Sequence, residues 1–187
     1  MNKAGPLFVY REAISRHDQI VREQFAPLSE IQFNWKNNNS TWSIGQCIQH
    51  INMLGRHWVK QLDQLGKTGI IAGTDGFQPG KAGRYAMKPY RSEKFKWRVP
   101  GIRTRFMPHF NVYTVGCINE FIEIQGRLLS LSDSLSKLDL NKNGIRMQQF
   151  PFLKMKLGDA LELVTMHAAY FINYAQRIRE LKQFPIS

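Results

Sequence analysis

Ser43-Ile44-Gly45-Gln46-Cys47-Ile48-Gln49-His50-Ile51-Asn52-Met53-Leu54-Gly55-Arg56-His57-Trp58-Val59-Lys60-Gln61-Leu62-Asp63-Gln64-Leu65 carries apolar residues at three- and four-residue spacing. Ile44, Cys47, Ile51, Leu54, Trp58, Leu62 and Leu65 therefore fall on one stripe of an α-helix. Ser43 and Gln46 open it as a capping box: the hydroxyl covers an orphan backbone amide and the Gln side chain reaches back. Three more stretches repeat the pattern, at 7–28, 111–138 and 156–184. In the first, Pro27 marks the end of the helix. Each is long enough, at ~1.5 Å per residue, to span ~30 Å or more. No strand pattern competes with them. The expected fold is all-α, a four-helix bundle forming a single domain over 1–187, with a long loop between its second and third helices.

The connections are unequal. Residues 30–42 and 141–151 are short links, whereas 66–110 holds 7 of the 14 glycines and 4 of the 8 prolines. A loop of that length is unusual inside a compact domain and often carries function. The same segment holds most of the charge. The 187 residues carry 26 Lys+Arg against 14 Asp+Glu, a formal charge of +12. Nine of the cations and only one acid, Glu93, fall within 81–105, so that segment contributes +8 of the +12. Tyr85, Tyr90, Phe95, Trp97 and Phe106 are interleaved with them.

Arg84, Arg91, Arg98 and Arg103 are the candidate anion-binding residues of this loop. A solvated loop with its aromatics folded back is the first reading. A small anionic ligand is the second, and nucleic acid or an anionic membrane surface the third. No finger, helix-turn-helix or RNP motif accompanies the patch, which disfavours nucleic acid. No stretch approaches the ~20 apolar residues of a membrane span, and 7–10 is too short for a signal-peptide core. Two cysteines make no disulfide framework, which points to a reducing cytoplasm.

Of the five histidines, His50 lies beside the apolar stripe of the second helix and His167 lies in the middle of the fourth. Metal and cofactor sites of helical bundles are built from side chains in such interior positions. Around them, Trp42-Ser43-Ile44-Gly45-Gln46-Cys47-Ile48-Gln49-His50-Ile51 resembles the second-helix signature of the DinB-like superfamily. The stretch from Leu157 to His167 is similar to the family's last helix, and Gln176 falls where a Gln often follows. The resemblance implies a four-helix bundle and, in many members, a divalent metal held by three histidines. One comes from helix two and two from an H-x3-H pair in the last helix. Characterised relatives include thiol-dependent transferases and metal-dependent hydrolases.

His50 matches the first ligand and His167 the second, but the third position holds Phe171. H-x3-H works because residues i and i+4 share a helix face. A catalytic site of this type keeps three protein ligands and one open position. His57 stands two turns from His50, Cys47 reads first as a buried hydrophobe, Tyr170 is a poor neutral-pH ligand, and Asn173 points away.

The sequence therefore predicts a bundle that has lost the family's metal and binds a small anionic or thiol ligand, with no tight cofactor. The alternative is a zinc- or nickel-dependent hydrolase or thiol S-transferase using His50 and His167. The basic loop 81–105 as an anionic-surface or nucleic-acid binder comes third. Cys117 and His109 show no base-and-orienter arrangement for an activated thiol, and no catalytic residue is assigned. A homodimer is compatible with exposed helix faces.

Overall fold

The computed structural model describes residues 5–71, 76–91, 107–108, 112–146 and 154–186. Four long helices dominate it: α1 (Pro6–Gln24), α3 (Ile44–Thr68), α5 (Gly116–Leu135) and α6 (Leu157–Arg179). Helix α3 packs on α5 and α6, and α1 packs on the same two. The capping box of α3 is present in both directions. The Gln46 N–H donates to Ser43 Oγ at 3.2 Å, and the Ser43 N–H donates to Gln46 Oε1 at 3.1 Å. Among the described residues no helix is long and apolar enough to cross a membrane.

Three of the four long helices are shorter than their periodicity predicts, whereas α3 runs three residues past Leu65, to Thr68. Helix α1 stops at Gln24, because Pro27 lacks an N–H and crowds the carbonyl one turn back. Helix α5 begins at Gly116 rather than at 111. The Asn34 side chain brackets Tyr113 there, accepting its N–H at 2.7 Å and donating to its carbonyl at 2.8 Å, which holds that backbone out of the helix.

Five short elements were not placed from the sequence. Helix α2 (Glu30–Asn34) occupies the first short link behind its own Ser29–Gln32 capping box. Helix α4 (Lys81–Met87) and a 3-10 turn at Lys88–Tyr90 give structure to part of the long loop. Strands β1 (Gly144–Arg146) and β2 (Lys154–Lys156) form an antiparallel pair in the register Gly144↔Lys156, Ile145↔Met155, Arg146↔Lys154. Ile145 and Met155 turn inward and are buried. Strands of three residues are too short for alternation to show against a helical background.

The core consists of two apolar clusters. One gathers residues including Tyr10, Ile14, Trp58, Leu62, Leu128 and Leu161. The other gathers residues including Phe25, Phe33, Trp42, Phe121, Phe171 and Tyr174. Buried polar side chains fall between them along the helices. On α1, His17 separates Ile14 from Val21; on α5, Gln125 lies between Phe121 and Leu128; on α6, Thr165 and His167 lie between Val164 and Phe171.

Candidate functional site

Helix α3 carries His50 in its second turn and α6 carries His167 near its middle, and their packing brings the two rings together. The Nε2 atoms stand 3.0 Å apart, with both residues almost fully buried. One ring donates its Nε2–H and the other accepts. Burial, and then the neighbouring His50, hold His167 well below the ordinary histidine range, so its ring is neutral at pH 7.

Phe171 stands one turn beyond His167 and closes the third corner. Its ring centroid lies 4.5 Å from that of His50 and 4.9 Å from that of His167. The phenyl stacks on Trp42 at 5.5 Å, and Trp42 meets His50 edge-on at 5.1 Å. Trp42 is held in turn by Tyr174, whose hydroxyl accepts the Trp42 N–H at 3.3 Å. The remaining side is covered from the long connection. Tyr90, at the end of the 3-10 turn, meets His167 edge-on at 5.4 Å and Tyr170 at 5.7 Å. Burial, and then Tyr170, push the Tyr90 hydroxyl up to about 12, so it remains protonated.

Tyr90 is placed there by a distant clamp. The Asp159 carboxylate, fully buried at the start of α6, accepts the Gly80 N–H at 2.9 and 3.2 Å. Gly83 then passes so close that a Cβ would overlap the Asp159 carboxyl. Only glycine permits this approach of α4 to α6.

The donor set does not fit an ion held by three protein ligands. Among the described residues no group of three His, Cys, Asp or Glu side chains could hold a metal. Cys47 is fully buried and its thiol pKa is raised by that burial, which disfavours the thiolate a metal requires. Cys117 is likewise pushed up, to about 12, by burial and then by Glu120. His57 packs against Trp58 two turns from His50, and His109 lies outside the described residues.

The candidate anion-binding arginines are divided. Arg84 donates to the Pro79 carbonyl at 2.9 Å, and Arg91 pairs with Glu162 at 2.8 Å. Arg98 and Arg103 lie outside the described residues.

Two features beside the imidazole pair were not singled out from sequence. A void of about 10 Å³, room for roughly one water, is lined by His17, Trp58, Gln125, Thr165 and His167 among others. His17 is buried, its Nδ1 has no hydrogen-bond partner, and burial, reinforced by Arg16, pushes its pKa down to about 4. The only signal in sequence was its place on the α1 stripe, three residues after Ile14 and four before Val21. His17 also lines a groove of about 420 Å³ along the outer seam of α1 and α6.

A helical core whose second and last long helices converge on paired interior imidazoles defines a class of helical proteins rather than one activity. The family model of the DinB superfamily matches residues 13–170, most of the chain, and the protein belongs to that superfamily. No curated protein and no solved structure matched the chain.

Proposed function

We propose that this DinB-superfamily chain is a single-domain four-helix bundle that binds a small ligand, and that the family's three-histidine metal position has become a closed imidazole–aromatic core. One observation carries the reading. Phe171, fully buried and stacked on Trp42, fills the corner from which a third imidazole would approach His50 and His167. An apolar ring offers no lone pair, and its removal from that corner would open a cavity.

The test is elemental analysis of the purified protein, with melting curves recorded in EDTA, Zn²⁺ and Ni²⁺. The expected result is no stoichiometric metal and an unchanged melting temperature. Stoichiometric zinc or nickel, or a metal-dependent rise that His50→Ala abolishes, overturns the proposal.

A second reading, a metal-dependent hydrolase or thiol transferase using His50 and His167, is favoured by a different observation. The 3.0 Å between the Nε2 atoms is near the ~3.3 Å that two imidazoles span on one tetrahedral ion with bonds of about 2.0–2.1 Å. The same experiment decides between the two.

A further inference from the structure

Each of the four long helices contributes a polar side chain to the lining of the void of about 10 Å³ beside the imidazole pair. His17 comes from α1, Trp58 from α3, Gln125 from α5, and Thr165 and His167 from α6. All five are buried. Helices α1 and α3 each pack on α5 and α6, so they stand at opposite corners of the bundle with this void between them.

Two of these side chains hold a buried polar atom that no described residue satisfies. They are Nδ1 of His17 and Nε1 of Trp58, on residues only 4% and 6% exposed. Buried polar groups almost always make a hydrogen bond. Arg11, Asp18 and Asn52 also keep one buried atom unpartnered, yet each is bonded through another atom. His17 and Trp58 make no side-chain hydrogen bond to any described residue, and both line the same void.

That lining sets the chemistry of an occupant. An indole N–H only donates. His17 is neutral at pH 7, because burial and then Arg16 push its pKa down to about 4, and a neutral ring with its proton on Nε2 accepts at Nδ1. A cation cannot use the indole N–H, an anion cannot use an imidazole lone pair, and either ion would be buried without a counter-charge. An uncharged molecule that both accepts and donates meets the two groups at once, and the volume limits it to the size of water. Buried waters make about three hydrogen bonds. Thr165 Oγ1, which donates to the Glu162 carbonyl at 2.9 Å, keeps a lone pair, and the Gln125 amide bonds no described residue.

We propose that this void is the binding site of one structural water, which accepts from the Trp58 Nε1–H, donates to His17 Nδ1, and makes its third bond with Thr165 or Gln125. The water joins α1 to α3 across the bundle, where the two helices have no packing contact of their own to hold them in register. It rests against His167 while that ring keeps its Nε2 bond to His50. The site is independent of any small ligand the protein binds.

The test is a high-resolution crystal structure of the full chain together with water cross-relaxation measured by NMR at the Trp58 indole proton. The map should show one peak in the void, about 2.7–3.2 Å from both Trp58 Nε1 and His17 Nδ1. In solution the indole proton should give a cross-peak with water of the sign expected for a long-lived contact. His17→Leu suits the apolar stripe of α1 and removes the acceptor, so that cross-peak should be lost. Thr165 stays in the variant, so a peak relayed by exchange with its hydroxyl would persist. Crystals soaked in bromide or pressurised with xenon should show neither atom in the void. A void left empty or filled by a side chain, a bromide or xenon peak there, or a wild-type indole proton without the cross-peak overturns the proposal. So does a cross-peak unchanged in His17→Leu. If that variant fails to fold, the wild-type map and cross-peak decide on their own.

Discussion

Replacing Phe171 with histidine restores the H-x3-H spacing with His167, and the structure sets what that exchange costs and returns. The phenyl ring is fully exchanged from solvent contact into the core, stacked on Trp42 and edge-on to His50. Substituting an imidazole there loses apolar burial and introduces polar atoms, at about 2–4 kcal/mol. For a domain of this size each kcal/mol moves the melting temperature by about 2–4 °C. Phe171→His without metal should therefore melt roughly 4–16 °C below the wild type. Its ring enters 4.5–4.9 Å, centroid to centroid, from two imidazoles whose Nε2 atoms already converge. A metal at 100 times its dissociation constant stabilises by about 2.7 kcal/mol, or roughly 5–11 °C. Scanning calorimetry of wild type, Phe171→His and the double variant Phe171→His/His50→Ala, each in EDTA and in excess Ni²⁺ or Zn²⁺, reads the effect directly. Only the single variant should rise. A folded Phe171→His protein that ignores both metals refutes the claim that this residue occupies the missing ligand's corner.

Gly83→Ala should push α4 off Asp159, costing about 1–3 kcal/mol by overpacking; hydrogen exchange in 81–90 rises and the His167 ring resonances lose the shielding of Tyr90. Stability should fall as pH drops from about 6.5 towards 4. His17 has its folded pKa near 4 and its unfolded value near 6.5, so the unfolded chain binds the extra proton there. The full share, about 3 kcal/mol, is present above that window and lost below it. Denaturant titrations of wild type and His17→Leu from pH 7 to 4 check this, since the variant lacks that part of the slope. Ser43→Ala removes one arm of the α3 capping box and should cost about 1 kcal/mol, seen as a drop of about 2–4 °C in melting temperature.

Helix α3 was legible because local chemistry and tertiary burial agree: the residues on its 3.6-residue stripe that touch the core follow a Ser–Gln cap that forms both its bonds. The ends of α1 and α5 were less so, since a proline two residues past α1's C-cap and the Asn34 bracket on Tyr113 act against a periodicity that continues through them. At the site, the resemblance to the DinB signature pointed to His50, His167 and the substitution at Phe171, and these three do meet. Tyr90 could be read only as one aromatic among several in a basic loop. Its place over His167 depends on Asp159 gripping Gly80, a contact 79 residues apart in sequence that no periodicity encodes. His17 was visible as a polar residue on an apolar stripe, but its missing partner is a property of three-dimensional packing.

The imidazole pair also has a logic of its own. Coordination requires both Nε2 lone pairs to point at one ion, whereas a direct Nε2···Nε2 hydrogen bond at 3.0 Å requires one of those nitrogens to carry a proton. The two arrangements exclude each other. His167 is held neutral by burial, and a neutral ring that accepts at Nε2 bears its proton on Nδ1. The pair is thus joined by one ring-to-ring hydrogen bond. It satisfies one donor and one acceptor between two helices that the Trp42–Phe171 stack already holds in place. An ion would have to displace that proton, break the bond between the helices, and still find a phenyl ring where its third ligand should be. Each of these steps opposes metal uptake. The direct bond and the Trp42–Phe171 stack together tie α3 to α6 through the two buried histidines.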